Sequence, residues 1–380
     1  MDDLIFPLFV YESENAYEQS LKSGQMNKSK VYKDRFEDLL EELIDLGVSQ
    51  ILLFGVPKKR NENGDLSSAK HGVIQKSIRK IRKNFGNNFR IFSDVCLCQY
   101  NTSGHCGIFA NNTGKKDIKG DSPTSEIDND KTLVALGRVS LSLCESGTDF
   151  IAPSAMMDGQ VLYLRKLLNY HGFEHVKILS YSAKHNSCLY SPFRTNNYLK
   201  YGFIDKSSYQ CSFYNKHESL REILIDIEEG SDWVMIKPSL WYMDIIRNAR
   251  EIINVPIVVQ NVSGEYALLK SVMNLDFVTQ AHFDDNNELM RNPLLIKGHL
   301  GSNQKTMFRS KENRQIQKLP NVKRMATNDH SDSVGNENSS YNIDRIANFI
   351  LLLKRAGADK IITYFLLDLL IRKGIGKRTV

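Results

Sequence analysis

The chain has 380 residues, of which 41% are hydrophobic and 25% charged. That is enough to build one large core or two ordinary ones, and it excludes a low-complexity disordered chain. The net charge of +6, from 50 basic and 44 acidic residues, suits small anions as well as nucleic acid and decides neither. No basic segment followed by a long apolar run opens the chain, and no apolar run is long enough to span a bilayer. Six cysteines lie in this long chain, and three cluster at Cys96, Cys98 and Cys106. The expectation is a cytoplasmic protein with a metal site, not a disulfide framework.

In chain order, short apolar runs are predicted as strands over 4–10, 50–56, 89–95, 149–153, 176–181, 233–237, 255–260 and 360–365. Amphipathic stretches over 35–46, 70–84, 131–146, 160–170, 219–229, 243–253 and 343–356 are predicted as helices between them. Continuous apolar strands alternating with helices imply a parallel sheet buried on both faces. Eight such units favour a closed (β/α)8 TIM barrel over an open sheet. No internal repeat is visible in the sequence. The chain is read as one domain, 1–380. Two polar stretches interrupt the rhythm: a loop over 101–130 and an insertion over 274–342, between strands seven and eight, expected to be loosely ordered.

Barrel active sites assemble where the strands end. Asp94 closes the third predicted strand and Ser154 follows the fourth. Lys184 lies just past the fifth, and Lys237 ends the sixth. Ser263 follows the seventh, and Tyr364 ends the eighth. Any one of these is more often an ordinary strand-end residue; six converging on one rim make a candidate site.

Burial lowers a lysine pKa, and a neutral amine attacks a carbonyl to form an imine. Lys237, in Val234-Met235-Ile236-Lys237-Pro238, has that placement, and so does Lys184 in Ser180-Tyr181-Ser182-Ala183-Lys184. Two carbonyl substrates, or one imine lysine beside a second cation, both fit; a snorkelling or salt-bridged lysine is the plainer reading. Cys96, Cys98 and Cys106 can hold zinc with a fourth position open, with Asp94 and His105 nearby for proton transfer. Their spacing also fits a structural metal or none. Arg194, and Lys206 followed by Gln210, lie on the aromatic, polar segment after Lys184, where they could clamp a carboxylate. The basic insertion lacks aromatic interleaving and a nucleic-acid-binding pattern. Neither nucleic acid nor membrane is expected as a partner.

Taken in order, several motifs resemble the porphobilinogen synthase (5-aminolevulinate dehydratase) family. They are Asp94-Val95-Cys96-Leu97-Cys98 with Gly104-His105-Cys106-Gly107, Ala152-Pro153-Ser154 with Met156-Met157-Asp158-Gly159, Ser180-Tyr181-Ser182-Ala183-Lys184, Pro192-Phe193-Arg194, Lys237-Pro238, Val262-Ser263-Gly264-Glu265-Tyr266 and Arg355-Ala356-Gly357-Ala358-Asp359. The resemblance implies a lyase of tetrapyrrole and haem biosynthesis that joins two 5-aminolevulinate molecules through two Schiff-base lysines. Lys237 would hold the first substrate, with Ser263 and Tyr364 on its carboxylate. Lys184 would hold the second, with Arg194, Lys206 and Gln210 on its carboxylate. Phe193 and Tyr190 would line the substrate site. Cys96, Cys98 and Cys106 would bind catalytic zinc, with Asp94, Ser154 and His105 assisting. Glu222 falls where some members bind allosteric magnesium. The family is typically a homo-octamer with an N-terminal arm, which is nearly absent here because the first predicted strand opens at Leu4. A catalytically weakened homologue with a binding or regulatory role is the alternative, and a one-lysine aldolase on the same barrel is the third reading.

Overall fold

The computed structural model describes residues 2–22, 26–110, 126–190, 204–274 and 346–372. In chain order the strands are β1 (Leu4–Tyr11), β2 (Lys30–Tyr32), β3 (Gln50–Val56), β4 (Arg90–Val95), β5 (Ile108–Phe109), β6 (Ile127–Asp128), β7 (Phe150–Pro153), β8 (Lys177–Lys184), β9 (Trp233–Lys237), β10 (Ile257–Gln260) and β11 (Lys360–Ile362). A nine-stranded sheet runs β11-β10-β9-β8-β7-β4-β3-β1-β2, and β11 also pairs with β1. That last pairing closes the barrel and leaves β2 outside it, so the expected (β/α)8 TIM barrel is the fold. All of its pairings are parallel.

The burial pattern explains why these segments are strands. Every residue of β3 and of β10 is buried, as parallel strands covered on both faces require. One set of side chains fills the barrel interior, including Ile5, Phe9, Leu52, Phe54, Phe92, Tyr181, Met235, Val258 and Tyr364. The alternate set packs outward against helices, as Ile51, Leu53, Val234, Ile236 and Val259 do.

Several elements were not legible in the sequence. Short strands β5 and β6 pair within the predicted 101–130 loop, whose residues 111–125 lie outside the described part. Asp128 caps the helix Asn129–Cys144 by accepting from the Lys131 amide. The helix Ser263–Asn274 follows β10 and extends to the edge of the predicted insertion. The rest of 274–342, like Phe193 and Arg194, lies outside the described residues. A helix over 346–356 then returns the chain to β11.

The lower end of the barrel carries a repeated device. Arg82 is 2.6 Å from Asp149, Arg165 is 2.6 Å from Asp232, and Arg250 is 2.8 Å from Asp359. Each aspartate also accepts the backbone amide of the preceding barrel strand, at Ile91, Ile178 and Ile257. Each arginine also donates to the carbonyl just before that strand, at Phe89, Val176 and Val255. A glycine two residues before each aspartate has positive φ: Gly147 at 100°, Gly230 at 105° and Gly357 at 122°. A Cβ on any of them would press on the arginine stem at 3.2, 3.1 or 2.7 Å. The pattern Gly-x-Asp is therefore demanded by both backbone and packing. Arginine and aspartate are 67 residues apart in the first two clamps and 109 in the third, which spans the insertion. The chain does contain an internal repeat, too short to register as sequence similarity.

Candidate active site

A bulge builds the upper rim. Register runs Ser180↔Val234, then shifts, then Ala183↔Ile236 and Lys184↔Lys237. Without the extra residue, Ala183 would face Lys237, and strict alternation from Leu179 and Tyr181 would turn Ala183 inward. The bulge instead sends Ala183 outward with Ile236 and brings Lys184 inward at the level of Lys237. The sequence placed Lys184 beyond the end of its strand; it is the last residue of β8.

The two lysine amines converge. The Lys184 Nζ is 5.5 Å and the Lys237 Nζ 5.3 Å from the centroid of the same Tyr181 ring. Both line one cavity with Asp94, Cys98, Ser154, Gln210, Tyr364 and their neighbours. Its space, including the open mouth, is about 670 Å³. Burial pulls the Lys237 pKa down to about 7, and the nearby Lys184 charge adds to the effect, against the opposing pull of Asp94. Lys184 donates to the Ser154 carbonyl. Burial pushes Asp94 up to about 6, while the Ser154 hydroxyl and the two lysines draw it back. At neutral pH the cavity thus holds an amine and a carboxyl that both exchange protons readily.

The three thiols stand at one side of this cavity. The ligand atoms of Cys96, Cys98 and Cys106 lie within 4.8 Å of one another, and they are the only compact metal-ligand group among the described residues. Cys96 and Cys98 sulfurs are 3.3 Å apart. Hydrogen bonds from the other two thiols hold Cys106 well below its usual range, and Lys206, 3.3 Å from its sulfur, favours the thiolate further. Three soft ligands with Cys98 facing the cavity fit a metal that keeps a position open to substrate.

The other predicted residues divide between two places. Lys206, Gln210, Tyr190, Ser263 and Tyr364 line the lysine cavity. Tyr190 donates to the Lys237 carbonyl at 3.4 Å, and its ring centroid is 5.6 Å from the Lys237 amine. Burial raises the Tyr364 phenol, and Gln260 beside it draws it down. His105 instead lines a separate cleft with Asp158, Asp205, Glu218, Glu222 and Asp226. Its Nδ1 is 3.2 Å from the Tyr209 hydroxyl, which also accepts the Cys106 amide. Burial raises Glu222, and its neighbours Asp158 and Glu218 raise it further.

Further residues of the site were not singled out from sequence. Tyr181 offers its ring to both amines. Tyr209 ties the thiol-bearing loop to the segment carrying Lys206 and Gln210. Glu265, fully buried and pushed up to about 7 by that burial, accepts the amides of Ser239, Leu240 and Val262. It thereby joins the turns after β9 and β10. Beside it Gly264 is obligatory, because a Cβ there would lie 2.4 Å from the Leu189 carbonyl. Tyr181 and Glu265 lie inside quoted motifs, whereas nothing in the sequence signalled Tyr209.

A closed barrel that brings two lysine amines into one rim cavity, with Cys98 of a three-thiol cluster on its wall, has the build of a barrel enzyme. The family described as delta-aminolevulinic acid dehydratase matches residues 1–291. A delta-aminolevulinic acid dehydratase of Methanothermus sociabilis is 40% identical over 73% of this chain and 82% of its own length. One from Helicobacter pylori J99 is 40% identical over 71% and 79%. A crystal structure of the Toxoplasma gondii ME49 enzyme with its reaction product porphobilinogen superposes with a TM-score of 0.71 at 25% identity, covering 100% of this chain and 88% of that one. The chain belongs to the delta-aminolevulinic acid dehydratase family. The family match ends at residue 291, inside the insertion, while the structural match covers the chain beyond it.

Proposed function

We propose that the chain is a porphobilinogen synthase, joining two molecules of 5-aminolevulinate with loss of two waters. The carrying observation is the register of Lys184 with Lys237 on adjacent strands, both amines against Tyr181. Lys237, already inclined to be neutral, attacks the ketone of the first substrate; Ser263 and Tyr364 receive that substrate's carboxylate. Lys184 holds the second substrate, with Arg194, Lys206 and Gln210 on its carboxylate and Phe193 and Tyr190 along its walls. Asp94 and Ser154 hold and pass protons between the amines, and His105 supports the thiol loop through Tyr209. Placing both substrates in one cavity makes the condensation effectively intramolecular.

Cys96, Cys98 and Cys106 would hold zinc, which supplies Lewis-acid polarisation or a bound hydroxide. Glu222, amid acidic neighbours, is the proposed magnesium ligand. A homo-oligomer belongs to the same proposal; exposed Phe213, Tyr214 and Trp241 offer apolar surface of the kind subunit contacts cover.

The test is porphobilinogen formation from 5-aminolevulinate by purified protein, before and after chelation and zinc return. Product that falls with chelation, recovers with zinc, and drops by about 10⁴-fold or more in Lys237→Ala supports the reading. A folded, zinc-loaded protein without product overturns it.

A further inference from the structure

Gln260 is fully buried at the end of β10. It follows Val259, whose register partner is Ile236, so Gln260 and Lys237 sit at the same level on neighbouring strands. Val259 and Ile236 both pack outward, which turns Gln260 and Lys237 inward together. The Gln260 side chain lines the lysine cavity together with Lys237, Ser263 and Tyr364. Its polar neighbour is the Tyr364 phenol, but neither its Nε2 nor its Oε1 makes a hydrogen bond of good geometry. A buried primary amide left this way costs stability unless something else fills its bonds.

The chemistry of the proposed first substrate supplies that partner. A carboxylate presents about four acceptor sites. In the reading above it meets two hydroxyls, from Ser263 and Tyr364, while Lys237 is consumed in the imine. We propose that Gln260 is a further substrate-binding residue, its Nε2 donating to the carboxylate of the keto acid held on Lys237. The assignment rests on the imine reading of Lys237. It explains why a polar side chain stands in the buried interior beside aromatic Phe9 and Phe54, and it makes Gln260 select for acids among ketones.

Two small ketones separate the possibilities: 4-oxopentanoate, which carries the carboxylate, and 2-pentanone, which lacks it. Each is incubated with full-length, zinc-loaded protein, reduced with borohydride, and the adduct on Lys237 is quantified by peptide mass against ketone concentration. In Gln260→Leu, half-saturation by 4-oxopentanoate should move about tenfold to a hundredfold higher, with 2-pentanone unchanged. Gln260→Glu, which faces the carboxylate with a like charge, should weaken 4-oxopentanoate at least as much. Unchanged 2-pentanone labelling also reports that the variants fold and that Lys237 remains reactive. Equal half-saturation by 4-oxopentanoate in wild type and Gln260→Leu overturns the assignment. Equal loss for both ketones overturns it too, since Gln260 would then act on the lysine or the fold. No Lys237 adduct with either ketone in wild type removes the imine reading itself, and the assignment with it.

Discussion

The two ends of this barrel are built by opposite strategies. At the lower end one device recurs: an arginine, a positive-φ glycine and an aspartate join successive strands at Asp149, Asp232 and Asp359. At the upper end each strand closes with a different group: Asp94, Lys184, Lys237, Gln260 and, just beyond, Tyr364. Closing a barrel poses the same problem at each quarter, so one solution can be reused. Joining two like molecules into an asymmetric product requires their two positions to differ, so repetition there would defeat the purpose. Even the first quarter departs from the repeat: Gly47-Val48-Ser49 stands where the others have Gly-x-Asp. There the Ser49 carbonyl receives the Arg90 amide.

The sharpest way to break this contrast is to remove the bulge of β8. Deleting Ser182 should turn Lys184 towards the helices and leave Lys237 in place. Product formation is expected to fall by about 10³-fold or more, while borohydride trapping of 4-oxopentanoate on Lys237 persists. Loss of both would show that the bulge serves the fold and not the pairing of the amines.

Next is the lower end. Arg165→Ala removes donors to Val176, Gly230 and Asp232 and should cost about 2–4 kcal/mol of stability, measured by urea unfolding. The KM for 5-aminolevulinate should stay the same. A changed KM with unchanged stability would reverse the division of labour between the two ends.

The smallest effect is on pH. Lys237 is lowered from 10.5 to about 7, by burial and then by Lys184. Imine trapping on Lys237 should therefore rise with pH through about 7 and level off above. Lys184→Met removes the like charge and should move that midpoint upward; an unmoved midpoint would mean the two amines do not sense each other. The linkage has a definite sign. Between about 7 and 10.5 the unfolded chain binds a proton that folded Lys237 does not, so this group makes stability rise with pH across that window. Below about 7 both states are protonated and the burial penalty is fully expressed.

Much of the fold was legible in sequence because parallel strands buried on both faces must be apolar throughout. The runs at 50–56 and 233–237 match β3 and β9 end to end. The cysteine trio and both lysines were legible for a related reason: thiols and amines placed at apolar strand ends are costly unless used. No helix of the described residues is long and apolar enough to cross a membrane. Short pairings such as β5 with β6 escaped notice because two residues carry no period.

What the sequence determined alone was the inventory: eight buried strands, a rim of polar residues, three clustered thiols and the order of motifs. What only the tertiary structure decided was direction and partnership. A one-residue bulge reverses which way Lys184 points, and no periodicity marks where an extra residue will be absorbed. His105 was grouped by sequence with residues of the lysine cavity, yet it lines a neighbouring cleft that shares only Gln210 with it. Gln260 was an unremarked strand residue until closure of the barrel set its amide level with Lys237 and next to Tyr364, with no hydrogen bond of good geometry. Sequence spacing fixes which residues a strand carries; side-chain environment depends on neighbouring strands that are far away in the chain, and only closure of the barrel supplies them.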